Sequence, residues 1–190
     1  MAQTSTTLIA SQDHISSITG TDITFSALGS EYTIKADTTS LGNIDPYDLI
    51  TVTGTSLNNS TFTVKSRASD NFSIIVEEIV ANETKGASFT LDHTGFVSAK
   101  VKGDGYYSQV DGVHTVAYQV TNVLTGSIKM QGSLASTPTE SDWFDIAGTT
   151  FTTDQSTLIS SANFTGNFVW VRAKATSVTD GAISSILLNS

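Results

Sequence analysis

Phe164–Ala175, FTGNFVWVRAKA, is the stretch whose reading decides the fold. From Asn167 onward its residues alternate. Val169, Val171 and Ala173 fall on one side of an extended chain, and Phe168, Trp170 and Arg172 on the other. Apolar residues occupy both parities, so both sides of the strand are expected to be partly covered, with Trp170 in the core of a central strand. Upstream lies Gln131–Ile146, QGSLASTPTESDWFDI, a polar loop that ends on the other tryptophan of the chain, Trp143. Here Trp143 and Ile146 are expected to drop into the core, with Asp142 closing the loop and Asp145 facing water. Together the two stretches read as part of a small β-sandwich.

The same two-residue period recurs throughout, and helical spacing is nearly absent. In the first half it predicts strands at Ile23–Phe25, Tyr32–Ala36, Leu49–Thr53, Thr61–Lys65, Phe72–Glu77 and Ser88–Leu91. In the second half it predicts Val97–Lys102, Val113–Thr121, Ser127–Leu134, Trp143–Ile146, Phe164–Ala175 and Ala182–Leu188. Turn signals separate them, including Asp45-Pro46, Asn58-Asn59, Asp70-Asn71, Gly103-Asp104-Gly105, Asp111-Gly112 and Asp180-Gly181. Short strands with polar turns between them mark an all-β protein. Short helical turns fit only Asn43–Leu49 and Thr137–Asp142, the latter with Pro138 at a first helical position. Leu91–Gly95 ends one strand series and begins another. The expected organisation is two small antiparallel β-domains: residues 1–92, a small barrel or sandwich with a leading arm, and residues 93–190, a sandwich.

Composition supports a folded chain. Charged residues make up 14% of the 190 residues, far below what a disordered chain of this polarity carries, and nine Phe and five Tyr supply a core. The net charge of -9 and the lack of a basic cluster argue against a nucleic-acid partner, whose phosphates need Lys and Arg. There is no cysteine, hence no disulfide framework. The opening residues MAQTSTTLIA lack the charged and apolar regions of a secretory signal, and no apolar run approaches the length of a membrane helix. The expectation is a soluble protein made in the cytoplasm, with no membrane partner.

Candidate chemistry is sparse. His14, His93 and His114 have no metal-ligand spacing, and His114 is expected at a partly buried or edge position. No Gly-x-Ser-x-Gly elbow accompanies the many serines. Asp142 and Asp145 flank Trp143-Phe144 as a carboxylate pair beside an aromatic platform, the arrangement a sugar site requires, but loop closure and solvent exposure account for both. Asp104, Asp111, Glu140 and Asp180 are loop carboxylates of the kind calcium prefers, without a calcium-loop motif. No catalytic residue, metal or cofactor is expected. Tyr106-Tyr107 follows a glycine-rich turn, and strand alternation is expected to bury one ring and expose the other. Tyr106, Tyr107 and Trp143 are therefore the candidate contacts for a partner protein or a glycan.

Two groups of residues resemble structural proteins of tailed-phage particles. In the first half these are Asp48–Gly54 (DLITVTG), Asn58–Ser66 (NNSTFTVKS) and Phe72–Leu91 (FSIIVEEIVANETKGASFTL), although Ser60 stands where such domains often carry Gly. In the second they are Gly132-Ser133-Leu134, Pro138, Asp142–Asp145, the Phe168–Ala173 strand, Gly181 and Ile183, which resemble a virion module of large tailed phages of marine bacteria. The resemblance implies a non-enzymatic virion protein. An exterior head accessory (decoration or cement) is the first expectation, and a neck, tail or baseplate component the second. It implies other virion proteins as partners, in an oligomer or lattice. A host-surface carbohydrate-binding module is the alternative from a different class, and a hydrolase a third.

Overall fold

The computed structural model describes residues 5–84, 88–107, 112–121, 124–152 and 158–189. Among them the chain is all-β, and the helical pieces are short 3-10 turns at Asp104–Tyr107 and Glu140–Asp142. Two compact units emerge: residues 15–96, and residues 1–14 together with 97–190. This differs from the expected division in two ways. The boundary at Asp92-His93 falls inside a continuous strand, and the leading arm belongs with the C-terminal unit. Its strands β1 (Ser5–Ile9) and β2 (Gln12–Asp13) both pair with the last strand of the chain.

The unit of residues 15–96 contains β3 (Ile18–Gly20), β4 (Ile23–Leu28), β5 (Glu31–Ala36), β6 (Asp48–Thr53), β7 (Thr61–Arg67), β8 (Ser73–Val76) and β9, which spans Phe89–Val97 and so reaches one residue past the unit. Antiparallel pairing gives the order β3-β9-β6-β7-β8-β5-β4. The first half of β7 pairs with β6 and the second half with β8, with an irregularity between Val64 and Ser66. A bulge of this kind bends a strand, and one face of the sheet is apolar. That face buries Ile23, Phe25, Ile34, Ile50, Phe62 and Ile74, among others. Among the described residues the end strands do not pair with each other, so the sheet is open and not a barrel. Asn71 sits at φ 62°, a left-handed position that Asn tolerates, as the expected Asp70-Asn71 turn requires.

The second unit adds β10 (Val101–Lys102), β11 (Val113–Val120), β12 (Thr125–Ser133), β13 (Phe144–Asp145), β14 (Ile159–Thr165), β15 (Trp170–Asp180) and β16 (Ala182–Asn189). One sheet runs β1-β16-β11-β14, with β2 beside β16. A second set runs β13-β12-β15-β10. Their inner faces supply Val116, Tyr118, Ile186 and Leu188 from the first sheet, and Ile128, Met130, Val171 and Ala173 from the second, all buried. Tyr118 stacks on Phe151 with centroids 5.5 Å apart, and its hydroxyl donates to the Thr149 carbonyl at 2.7 Å. Phe151 in turn bridges to Ile128, so this stack ties the sheets together.

Phe164–Ala175 proves to be two strands. Its first residues end β14 in one sheet, and its last begin β15 in the other. Gly166 makes the switch feasible: a Cβ there would lie 2.4 Å from the Phe168 ring, which fills the corner. Gly132, opposite in β12, has the same relation to that ring at 2.6 Å. The inward positions change parity across this corner, from Phe164 and Phe168 to Val171 and Ala173, so the sequence reads as one strand with apolar residues on both faces.

Candidate functional site

The strongest concentration of chemistry lies on the outer face of the β13-β12-β15-β10 sheet. In β15, Val171, Ala173 and Ala175 point into the core, so Trp170, Arg172 and Lys174 point outward. Across the strand pairs lie Ser133, Gln131 and Lys129 of β12, and Lys102 of β10 opposite Trp170. Lys100, Lys102, Lys129, Arg172 and Lys174 are all the basic residues of this unit, and every one reaches this face.

The middle of the face is covered by the loop after β12, the quoted QGSLASTPTESDWFDI stretch. Arg172 donates to Gln131 Oε1 at 2.9 Å and to Glu140 Oε1 at 2.8 Å, and Lys174 reaches the same Glu140 oxygen at 2.7 Å. The Trp143 ring lies over the guanidinium, 4.3 Å from Arg172 Cζ. Lys129 and Gln131 hold Asp145 at 2.6 and 2.9 Å. Partial burial pushes the Glu140 carboxyl up, but Lys174 and Arg172 outweigh it and hold the group below its ordinary range. Hydrogen bonds from Lys129 and Gln131 lower Asp145 in the same way. Asp142 is lowered by the Thr139 amide and hydroxyl, which it accepts in capping the short turn. The two aspartates flanking Trp143 thus have different structural tasks.

Beyond this covered zone the face is open and aromatic. Tyr106 and Tyr107 do not alternate as strand residues. They sit on the Asp104–Tyr107 3-10 turn, 45% and 58% exposed, with rings edge to face at 5.2 Å. Tyr106 also meets Trp170 at 5.3 Å. Lys102 Nζ lies 4.0 Å from the centre of the Tyr106 ring, and Lys100 Nζ lies 5.0 Å from that of Trp170. Among the described residues no carboxylate pairs with either lysine; both ammonium groups rest on aromatic rings instead.

Close backbone packing fixes this turn. Gly103 N donates to the Val169 carbonyl at 3.0 Å and Gly105 N to the Phe168 carbonyl at 2.9 Å. A Cβ at Gly105 would stand 2.2 Å from the Asn167 carbonyl oxygen. The Gly103-Asp104-Gly105 signal is therefore a contact requirement that presses the tyrosines against the end of β15.

The structure gathers Tyr106 and Tyr107 with Trp170, which the sequence assigns to the core. Trp170 is half-buried, and its indole N–H donates to the Ser136 carbonyl at 3.0 Å. Trp143, expected in the core and also as a contact, is half-buried with its ring engaged by Arg172. Ile146 is buried as expected. Its shared parity with Arg172 and Lys174 is the sequence signal, overridden in the core reading, that Trp170 faces outward.

The remaining candidates stay apart. Among the described residues no group of three His, Asp or Glu is placed to hold a metal. Asp180 accepts from the Gly181 amide, Glu140 is taken up by two cations, and Asp111 lies outside the described residues. His114 is fully buried and not at an edge, stacked on Phe164 at 4.9 Å, because β11 lies between β14 and β16. His93 is buried with its Nε2 3.5 Å from Asp48 Oδ1. No helix among the described residues is long and apolar enough to cross a membrane.

No protein-family model and no curated protein matches the chain. Among solved structures it is similar to the K1 cleaved adhesin domain of Lys-gingipain from Porphyromonas gingivalis W83, at 11% identity and a TM-score of 0.34, over 92% of this chain and 98% of that one.

Proposed function

We propose that the chain is a non-enzymatic structural protein of a tailed-phage virion, with an exterior head accessory as its station. The open end of the C-terminal unit's outer face is its contact surface. One observation carries the contact surface: Tyr106, Tyr107 and Trp170 are clustered on a turn and the adjoining strand, with two lysines that no described carboxylate neutralises. Exposed Tyr and Trp side chains give large contact area at low conformational cost and are enriched in protein-interface hot spots, and the lysines beside them add charge. The assignment to a virion rests on the residue resemblance in both halves of the chain. Binding to an assembled lattice would stabilise the folded chain by mass action.

Mass spectrometry of purified particles from the phage or prophage that encodes the chain tests the station. The expected result is the intact chain in fixed ratio to the major shell protein. Its absence from particles, with abundant free chain in the lysate, overturns the proposal. Glycan binding is the second reading, favoured by the adjacent Tyr106 and Tyr107 rings. A glycan array that binds the native chain and not Y107A would replace protein contact with carbohydrate recognition.

A further inference from the structure

The unit of residues 15–96 has a different electrostatic character, with ten acidic residues against four basic ones. One end of its sheet combines that charge with exposed apolar side chains. Leu28 at the end of β4 pairs with Glu31 at the start of β5. Tyr32 pairs with Val76, so the next positions outward in that register are Glu31 and Glu77. Ile79 follows two residues later. Glu31 and Glu77 are exposed, and Leu28 and Ile79, at 80% and 78%, are the two most exposed of the large apolar residues described.

This end complements the aromatic face. One presents apolar side chains beside two carboxylates; the other presents Tyr106 and Tyr107 beside two ammonium groups without carboxylate partners among the described residues. Scattered exposed hydrophobics need no explanation, and here the case rests on the charges beside them, which are opposite in sign to those of another surface of the same chain. We infer that the partner of the Tyr106/Tyr107/Lys100/Lys102 face is the Leu28/Glu31/Glu77/Ile79 end of a second copy of this chain. This deepens the contact-surface reading above and rests on it. Two different patches meet, so the contact is head-to-tail: it repeats from copy to copy and either closes into a ring or continues as a filament. Part of its energy is charge attraction across a solvent-accessible rim, which salt screens over about 8 Å at physiological ionic strength.

Sedimentation velocity from about 1 to 100 µM chain, the range in which a weak contact becomes populated, is the test. The native chain is expected to associate with concentration, less so in high salt. K100E/K102E and E31K/E77K are each expected to remain monomeric with unchanged circular dichroism and melting temperature. An equimolar mixture is expected to associate as the native chain does, because each face of one variant then meets an oppositely charged end of the other. A native chain that stays monomeric, single variants that associate like the native chain, or a mixture that stays monomeric overturns the inference. Particle binding separates it from the reading beneath it. If K100E/K102E still decorates particles, the contact-surface reading fails. If it loses particles while the native chain is monomeric, only the self-partner fails.

Discussion

Single side chains in this protein act mostly by satisfying backbone groups. Asp22 accepts from the Thr38 and Thr39 amides at 2.6 and 2.9 Å and from both threonine hydroxyls, tying the loop after β5 to the start of β4. Those bonds, the Thr39 hydroxyl foremost, depress its carboxyl far below the usual carboxylate range. A group with a depressed folded value lends stability above its unfolded value and loses it as the pH falls through the folded one. The melting temperature is therefore expected to fall as the pH drops below about 4. Thermal melts of D22N should show a lower value at neutral pH and a weaker acid dependence; an unchanged profile would remove Asp22 from the account. Tyr118 is the buried counterpart. Burial, only partly offset by its bond to the Thr149 carbonyl, raises its phenol well above the ordinary value, so it remains a neutral donor. Tyr118→Phe leaves that carbonyl buried without its donor, and urea unfolding should report a loss of about 1–3 kcal/mol.

At the scale of elements, the sequence was legible wherever alternation and local turn chemistry decide the outcome. All twelve predicted strand regions contain strand, and the Asp70-Asn71 and Asp180-Gly181 turns fall where expected. What it hid are features set by distant partners. Alternation alone could not show that Phe164–Ala175 changes sheets at Gly166, because the parity change from Phe168 to Val171 reads equally as one strand covered on both faces. Nor could it show that the Gly103–Tyr107 segment becomes a 3-10 turn pressed on the Phe168 carbonyl, which takes both tyrosines out of strand parity. The covering loop of Gln131–Ile146 was similarly hidden, since Arg172, Glu140 and Trp143 meet only after β12 and β15 pair. The turn carries its own prediction. Gly105→Ala, forced against the Asn167 carbonyl, should cost about 1–3 kcal/mol and weaken the near-ultraviolet circular dichroism of the Tyr106–Trp170 cluster. A variant with native stability and signal would mean that the close approach does not hold the turn.

Across the whole molecule, the arm at residues 5–13 is the feature that the order of the chain conceals most. It lies first in sequence yet completes the C-terminal unit by pairing with β16, burying Leu8 and Ile9. Removing residues 1–14 should destabilise that unit by at least about 3 kcal/mol, from two buried aliphatic side chains alone. Amide exchange should rise across β16 and β11 while the amides of β6 and β7 keep their protection. Equal loss in both units would contradict the division. The same unit carries all its basic residues and its open aromatic cluster on a single sheet face, and this gives the chain its proposed contact surface. A reconstruction of the encoding phage particle tests that claim most directly. The account predicts density for this chain on the particle, with Tyr106, Tyr107 and Trp170 against a neighbouring protein. A chain present on the particle with that face open to solvent would contradict it.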